Sequence, residues 1–261
     1  MKTKRDRVVA IVPAAGLGKR FGEEKNKPFH PLLEKPLIIW TLETLQGIEE
    51  IAEIIPVLKE DDLIVCGDLV EQYNITKVKR IVPGGQERQD SVYNALKVLD
   101  DKTSVVLIHD GVRPLIEADL IRKSLSELKD CEGVVVGVPV KDTIKEARRQ
   151  HGRGDCPRIT GEAPASLCGA GSDSGLSPEF IVEKTLNRNV LWAIQTPQVF
   201  FFEKIRDAYG KATADRYYAT DDAALIERYG GKIKIIMGSY RNIKITTPED
   251  IDIAEALMKN I

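Results

Sequence analysis

A glycine-rich loop that carries several cations follows an apolar segment near the start of the chain. Residues 8–12 are all apolar and mostly β-branched, which is typical of a strand buried on both faces of a parallel sheet. Glycines in the next stretch, PAAGLGKRFG, let backbone N–H groups approach an anion closely. Like charges at this density repel one another unless an anion binds, so the loop predicts a triphosphate site. Four cations fall within nine residues: Lys19, Arg20, Lys25 and Lys27.

The spacing of this loop differs from that of two common phosphate-binding motifs. A dinucleotide-binding fingerprint requires glycine at position 21, where this chain has Phe21. A Walker loop requires Lys and then Ser or Thr after its last glycine, whereas Gly22 is followed by two glutamates. The pattern therefore disfavours a cofactor-binding dehydrogenase and a P-loop NTPase. An ordinary surface loop stays the alternative, because single glycines and lysines are common in such loops.

Two further clusters combine a glycine turn with charged side chains. GGQERQDS, residues 84–91, places Arg88, Asp90 and Ser91 near a predicted helix start, where they can cap the helix or contact a ligand. IHDGVRP, residues 108–114, places Asp110 at the end of a predicted buried strand, the edge at which open α/β sheets bind ligands. Asp110 is therefore a candidate for binding Mg²⁺ and Arg113 for binding a phosphate. A purely structural ion pair between the two is the alternative.

Two later segments add basic and hydroxyl side chains. RNVLWAIQTPQ, residues 188–198, contributes Arg188 and Thr196. RNIKITTPEDI, residues 241–251, contributes Lys244 on a predicted strand just before a helix start. A single lysine on a strand is usually solvated, which is the alternative for Lys244.

Composition restricts the class of protein. With 261 residues and 43% hydrophobic content the chain can bury one large α/β core, so a single domain over residues 1–261 is expected. A formal net charge of −2 argues against a nucleic-acid partner and favours a small molecule. The first apolar run is interrupted at Pro13 and is too short for a secretory signal or a membrane span. No membrane association and a cytoplasmic location are therefore expected.

Cysteines and histidines indicate no metal centre. The chain has no CxxC pair, and its three histidines are scattered, so no zinc site is expected. Reduced, buried and structural thiols are predicted for all four cysteines: Cys66, Cys131, Cys156 and Cys168.

Strand-like and helix-like segments alternate along the chain, which predicts a mostly parallel sheet with crossover helices. Strands are predicted at residues 8–12, 51–58, 77–82, 104–109, 133–138, 232–237 and 242–245. Helices are predicted at residues 36–45, 90–99, 117–128, 203–208 and 221–229, with a last helix from Pro248. Residues 148–178 are rich in Gly, Pro, Ser and Ala and predict a long mobile insertion, after which residues 179–199 return to the same sheet.

The order of these motifs closely resembles that of the cytidylyltransferases that act on 2-C-methyl-D-erythritol 4-phosphate, enzymes of the non-mevalonate isoprenoid pathway. The similarity covers nearly the whole chain and rests on PAAGLGKRFG, GGQERQDS, HDGVRP, PVKDT, RNVLWAIQTPQ, TDDA and NIKITTPED. It implies a Rossmann-like nucleotidyltransferase fold with a mostly parallel twisted sheet. It also implies a protruding β-arm with a long flexible insertion at about residues 140–190, and a homodimer formed through that arm. Gly111 and Val112 stand where the family often has two alanines, and the insertion is longer than the usual arm.

The resemblance assigns roles to residues at matching positions. It implies that Arg20 and Lys27 stabilise the transition state and that Arg188 and Lys244 position the methylerythritol phosphate. It implies nucleotide binding by Ala14, Ala15, Gly16, Gly18, Gly85, Asp90, Ser91 and Asp110. Substrate-side positions are implied for Arg113, Thr143, Thr196 and Thr220. Asp110 would also bind Mg²⁺ or another divalent cation, and Arg188 with the arm would reach the neighbouring subunit's site.

The activity implied is transfer of a cytidylyl group from CTP to a sugar-alcohol phosphate, 2-C-methyl-D-erythritol 4-phosphate. That phosphate is already an anion and can attack without a general base, so cations suffice for catalysis. Two alternatives stay open: a ribitol-5-phosphate cytidylyltransferase, which has a similar loop, and a non-catalytic nucleotide-binding protein. The joint presence of Arg20, Lys27, Asp110 and Lys244 argues against the second, because a sensor needs no group for departing pyrophosphate.

Overall fold

The computed structural model describes residues 7–16, 27–150 and 179–259. Eleven strands lie in these ranges: β1 (Arg7–Pro13), β2 (Pro31–Leu32), β3 (Lys35–Pro36), β4 (Ile51–Leu58), β5 (Val82–Pro83), β6 (Thr103–Ile108), β7 (Gly133–Pro139), β8 (Lys145–Gln150), β9 (Glu179–Thr185), β10 (Trp192–Phe201) and β11 (Ile233–Met237). The same ranges contain seven α-helices: α1 (Leu37–Gln46), α2 (Leu63–Gln72), α3 (Arg88–Lys97), α4 (Ala118–Ser126), α5 (Phe202–Ala214), α6 (Asp222–Arg228) and α7 (Glu249–Met258). None of these helices is long and apolar enough to cross a bilayer.

Seven strands form the main sheet, in the order β11-β7-β10-β6-β1-β4-β5. β1 is parallel to both of its neighbours, β5 is parallel to β4, and β11 is parallel to β7. β10 is antiparallel to β6 and pairs Gln198 with Ile108. The predicted α/β class with a mostly parallel sheet is therefore confirmed.

β1 lies inside this sheet because alternate residues of its apolar run pack on opposite faces. Ala10 and Val12 pack on one face in a cluster that includes α1, whereas Val9 and Ile11 pack on the other face with α3 and α5. All four side chains are 0% exposed. Burying a valine or isoleucine fully is worth about 1.5–3 kcal/mol, so this strand firmly anchors the loop that leaves its carboxyl end.

The chain divides into two compact units. The first contains the described residues up to 138 and from 193, and the second contains those within 139–192. In the second unit β8 and β9 form an antiparallel pair, which occupies the position predicted for the β-arm. Opposite charges meet across the pair, with Arg148 Nε 3.3 Å from Glu183 Oε1 and Lys184 Nζ 2.8 Å from Glu146 Oε2.

Two predicted strands are wrong for most of their length. Residues 77–82 contribute an isolated bridge at Val78 before the short strand β5. Residues 242–245 form no strand, because Asn242 and Ile245 make individual hydrogen bonds to β10 and to the loop after β6 instead of a strand ladder. The Asn242 side chain donates to Thr196 O at 2.8 Å, and Ile245 N donates to Val112 O at 2.9 Å.

The segment around the predicted insertion also differs from expectation. Residues 148–150 lie in β8 rather than in the insertion, and residues 151–178 lie outside the described residues. Residues 179–185 pair with β8 in a separate two-stranded sheet, and β10 alone returns to the main sheet. The cross-strand charge pairs of β8 and β9 supply the local stabilisation that composition did not reveal.

Helix α2 was missed by the sequence patterns. Gly67 and the β-branched Ile64 and Val65 have low helix propensity, so local sequence alone favours no helix here. Cys66 is 0% exposed within the first core cluster, and this packing stabilises the helix. Cys66 and Cys131 are free and buried as predicted, while Cys156 and Cys168 lie outside the described residues.

Candidate active site

A cleft of about 710 Å³ opens at the carboxyl ends of β1, β4 and β6. Four segments that the sequence singled out for chemistry meet there, together with Lys59 at the end of β4. The described residues that line the cleft are Pro13, Ala14, Ala15, Gly16, Lys27, Pro28, Lys59, Gly85, Gln86, Glu87, Arg88, Ser91, Asp110, Val112, Lys244 and Thr246. The cleft is where an open α/β sheet is expected to bind its ligand.

Two glycines allow the loop after β1 to pack closely against the start of α3. A Cβ at Gly84 would lie 2.4 Å from Ala15 Cβ and 2.9 Å from Ser91 Oγ. A Cβ at Gly85 would lie 2.3 Å from Asp90 Cβ. A larger residue at Gly84 would therefore push the loop after β1 away from α3, and one at Gly85 would collide with Asp90 at the start of α3.

Asp90 and Ser91 organise the start of α3. Asp90 Oδ2 accepts from Glu87 N at 3.0 Å, which completes a capping box, and Asp90 Oδ1 accepts from Tyr218 OH at 3.1 Å. Ser91 Oγ accepts from Gly85 N at 3.0 Å and donates to Glu87 O at 3.1 Å. Of the two roles predicted for Asp90 and Ser91, capping the helix and contacting a ligand, the structure shows the capping role for both side chains. Ser91 still lines the cleft, whereas Asp90 is not among its lining residues.

Asp110 is the charged centre of the cleft floor. Its Oδ2 lies 3.0 Å from Lys244 Nζ and 3.3 Å from Arg113 Nε, and its Oδ1 lies 3.4 Å from Arg88 Nε. Burial raises the pKa of this carboxyl, but the charges of Arg88, Lys244 and Arg113 outweigh burial and hold the pKa well below its usual range. Asp110 is therefore ionised at neutral pH.

Below Asp110, hydrogen bonds connect His109, Thr196 and Arg113. The Thr196 hydroxyl accepts from Asp110 N at 3.0 Å and lies 3.1 Å from His109 Nδ1. His109 Nε2 faces Arg113 O at 3.3 Å, and a carbonyl can only accept, so Nε2 carries the proton. Arg113 Nη1 donates to Asn242 O at 2.7 Å. Thr196 and Arg113 are buried support for Asp110 and do not line the cleft. Arg113 therefore forms the structural ion pair with Asp110 that was the alternative to a phosphate-binding role.

Arg88 makes a second, stronger ion pair that the sequence patterns did not reveal. Its Nη1 and Nη2 donate to Asp222 Oδ1 at 3.0 Å and Oδ2 at 2.7 Å, although the two residues are 134 positions apart. Asp222 is the first residue of α6, and it also accepts a hydrogen bond from Tyr209 OH. The available signal was the acidic pair in TDDA, but nothing in the sequence indicated its partner.

The remaining predicted residues lie elsewhere. Thr220 is exposed and comes just before Asp221, the N-cap of α6. In the second unit Thr143 is exposed, and exposed Arg188 donates from Nη1 to Lys141 O at 2.9 Å. Gly18 and Arg20 lie outside the described residues.

His109 predicts a specific pH dependence of stability. Burial lowers its pKa to about 4, and the imidazole is 0% exposed. The unfolded chain binds the proton at higher pH than the folded protein. The free energy of unfolding should therefore fall as the pH drops from about 6.5 toward 4, by up to about 3 kcal/mol. Urea unfolding at pH 7 and pH 5 should show a smaller loss for His109→Gln than for the wild type. If both proteins lost the same free energy of unfolding between pH 7 and pH 5, His109 would not be the source of the pH dependence.

The fold and the cleft together define an α/β nucleotidyltransferase. The family model described as 2-C-methyl-D-erythritol 4-phosphate cytidylyltransferase matches residues 8–153 and 175–260. A curated protein of that name from Geotalea uraniireducens (strain Rf4) is 40% identical over 258 residues, which cover 98% of each chain. Another from Clostridioides difficile (strain 630) is 39% identical, covering 95% of this chain and 92% of that protein.

A solved structure supports the same assignment. The 4-diphosphocytidyl-2C-methyl-D-erythritol synthase of Anaerococcus prevotii DSM 20548 is similar with a TM-score of 0.76 and 32% identity, covering 97% of this chain and 96% of that one. The chain belongs to the 2-C-methyl-D-erythritol 4-phosphate cytidylyltransferase family. It is therefore an enzyme, a cytidylyltransferase.

Proposed function

We propose that this enzyme transfers the cytidylyl group of CTP to 2-C-methyl-D-erythritol 4-phosphate, releasing pyrophosphate and 4-diphosphocytidyl-2-C-methyl-D-erythritol for isoprenoid synthesis. The observation that carries the proposal is the joining of the glycine-lined loop, Lys27 and Lys244 in one cleft around Asp110. Backbone N–H groups and several cations are the chemistry that a triphosphate and a second phosphate require together.

The reaction needs positioning and charge more than proton transfer. An oxygen of the substrate phosphate attacks the α-phosphorus of CTP, the bond from that phosphorus to the bridging oxygen breaks, and pyrophosphate leaves. Two anions must be held in line, and charge grows on the departing group. Lys27 and Lys244 line the cleft and supply compensating charge, and Arg20 is proposed to join them.

The other predicted residues receive roles that follow their positions. Ala14, Ala15, Gly16, Gly85 and Ser91 line the cleft and are proposed to contact the nucleotide, as is Gly18. Asp90 supports that wall by capping α3. Arg113 and Thr196 are proposed to act through Asp110. Thr143, Thr220 and Arg188 are proposed to contact the methylerythritol phosphate.

Asp110 fits a role in binding Mg²⁺. Mg²⁺ in nucleotide enzymes is usually held by one or two carboxylates and by substrate phosphates rather than by a full protein cage. The described residues contain no group of three or more His, Cys, Asp or Glu side chains arranged for a metal. Asp110 would hold the ion with the triphosphate. Bound Mg²⁺ would neutralise charge on the phosphate oxygens.

Pyrophosphate release tests the proposed substrate directly. The enzyme is given CTP and Mg²⁺ with 2-C-methyl-D-erythritol 4-phosphate and, separately, with ribitol 5-phosphate. We expect release with the former alone. Release only with ribitol 5-phosphate would replace the proposed acceptor, and CTP binding without turnover on either acceptor would contradict the proposed reaction.

We also propose a homodimer formed through the β8–β9 arm. Phe180 and Val182 project from one face of β9 and are 64% and 55% exposed. In the first unit Ile194, Ile235 and Met237 are 38%, 42% and 51% exposed. Exposed apolar patches of this kind are typical of protein interfaces.

We further propose a cytoplasmic enzyme without a nucleic-acid partner. Two observations support this proposal: the thiols of Cys66 and Cys131 are buried and free, and the net charge of the chain is −2.

Light scattering tests the arm interface. The wild type should have a mass near twice the 29.0 kDa of one chain, and Phe180→Ser with Val182→Ser should shift it toward one chain. Ile64→Ser is the matched control, because Ile64 is 78% exposed on α2 and is not part of either apolar surface. A dimeric double variant would contradict an interface through the arm.

Mixing of two inactive variants tests whether Arg188 acts in the neighbouring subunit. Lys27→Ala and Arg188→Ala impair different groups, so a mixed dimer would contain one site with both groups intact. Random mixing should then restore about a quarter of the wild-type activity, because half of the dimers are mixed and each has one complete site. No recovery after exchange of subunits would place both groups in the same subunit.

A further inference from the structure

Asp222 holds Arg88 in one orientation. Its side chain is 1% exposed, and its two carboxylate oxygens accept hydrogen bonds from the two terminal nitrogens of the Arg88 guanidinium. Tyr209 OH donates to the same carboxylate, and the Tyr209 ring is buried and stacks on Tyr93 at 5.7 Å between ring centroids. Because the guanidinium is planar and rigid, binding it at two points also determines the direction of its third nitrogen, Nε.

That third nitrogen faces the cleft floor. Arg88 Nε lies 3.4 Å from Asp110 Oδ1, and Arg88 itself lines the cleft. Asp222 is not among the lining residues, and in the described part of the chain Arg88 is the side chain that connects it to the cleft. The starts of α3 and α6 are joined by this ion pair beneath the cleft.

The three cations around Asp110 differ in how firmly they are held. Arg113 is 11% exposed and is bound to Asn242 O, and Arg88 is bound to Asp222. Lys244 is 41% exposed, and Asp110 is its ion-pair partner among the described residues. If Lys244 leaves to meet a phosphate, the two arginines still compensate the charge of Asp110.

We propose that Asp222 is a positioning residue for cytidylyl transfer: by fixing Arg88 against Asp110, it frees Lys244 to move from Asp110 to a substrate phosphate. This inference rests on the proposed function. Without the fork to Asp222, Arg88 would become mobile and Arg113 would be the one firmly held cation left beside Asp110. The charge balance of Asp110 would then depend more strongly on Lys244. Lys244 would then be less available to the substrate.

The test compares Asp222→Asn, Arg88→Lys and the double variant. Asparagine has one side-chain oxygen and cannot accept the two parallel hydrogen bonds from the guanidinium. Lysine keeps the positive charge but has a single nitrogen and cannot donate that pair of hydrogen bonds. Each single variant should lower kcat by about 10- to 100-fold, the cost expected for a misplaced group. Because Asp222 acts through Arg88, Asp222→Asn should have almost no further effect in the Arg88→Lys background.

Ile48→Val is the control for stability. It removes a buried methyl group from the first core cluster and does not touch the cleft lining, so the melting temperature should fall while kcat per folded site stays close to wild type. Calorimetric titration with CTP gives the number of competent sites for each variant. Independent, multiplicative losses in the double variant, or unchanged kcat per competent site in Asp222→Asn, would overturn the inference. A wild type inactive with both acceptors would instead refute the proposed function.

Discussion

Lys27→Ala should lower kcat by about 10²- to 10³-fold, equivalent to about 3–4 kcal/mol, with the fold retained. Lys27 begins a short 3₁₀ helix, Lys27–Phe29, and lines the cleft. Its proposed partner is charge that develops on the α-phosphoryl oxygens and the departing pyrophosphate. A cation placed to meet that charge stabilises the transition state more than the bound substrates, so the loss falls mainly on kcat.

The fold should survive this change because backbone and proline contacts that the substitution leaves intact help to order the turn. His30 N donates to Lys27 O at 3.1 Å, and Pro28 is buried. Pyrophosphate release and thermal unfolding are measured together. Lys79→Ala removes the same kind of side chain from an exposed position and should change neither quantity. Near-normal turnover by folded Lys27→Ala would refute the assigned role.

Asp110→Asn should lower the free energy of unfolding by about 3–5 kcal/mol and also abolish most activity. The change leaves the size of the side chain almost unaltered but removes the charge that Arg113 and Lys244 compensate. Arg113 is only 11% exposed, so its guanidinium would be left as a buried charge without a carboxylate to neutralise it. Urea unfolding measures the loss of stability, and pyrophosphate release measures the loss of activity.

The difference in unfolding free energy between the wild type and Asp110→Asn depends on pH, and the direction of that dependence follows from the pKa of Asp110. The pKa of Asp110 is depressed in the folded protein, because nearby cations outweigh the opposing effect of burial. Its contribution to stability is complete above the unfolded pKa of about 4 and is lost as the pH falls toward the folded pKa. The stability difference between wild type and Asp110→Asn should therefore narrow in acid.

An exposed ion pair provides the control. Asp119 is 95% exposed and pairs with Arg122 at 3.0 Å, so Asp119→Asn should cost no more than about 1 kcal/mol. Equal destabilisation by both substitutions would show that burial of Asp110 is not the source of its effect. Wild-type turnover by Asp110→Asn would remove Asp110 from the site.

Local sequence determined the parts of this protein whose structure depends on neighbours in the chain. The apolar run of β1 predicted a strand buried on both faces, and Val9 and Ile11 are indeed 0% exposed. Glycines at 84 and 85 indicated a close turn, and side chains there would collide with Ala15 and Asp90. Motif order predicted the family, which the comparisons confirmed.

Tertiary structure alone decided which charges meet, because ion pairs form between residues that are distant in sequence. Nothing near Arg88 indicated Asp222, 134 residues away, and nothing near Asp110 indicated Lys244 rather than solvent as its neighbour. Packing likewise made a helix of α2 around buried Cys66 despite poor local propensity. Sequence determined the chemistry available to the site, whereas folding determined which groups face the cleft and which support it from below.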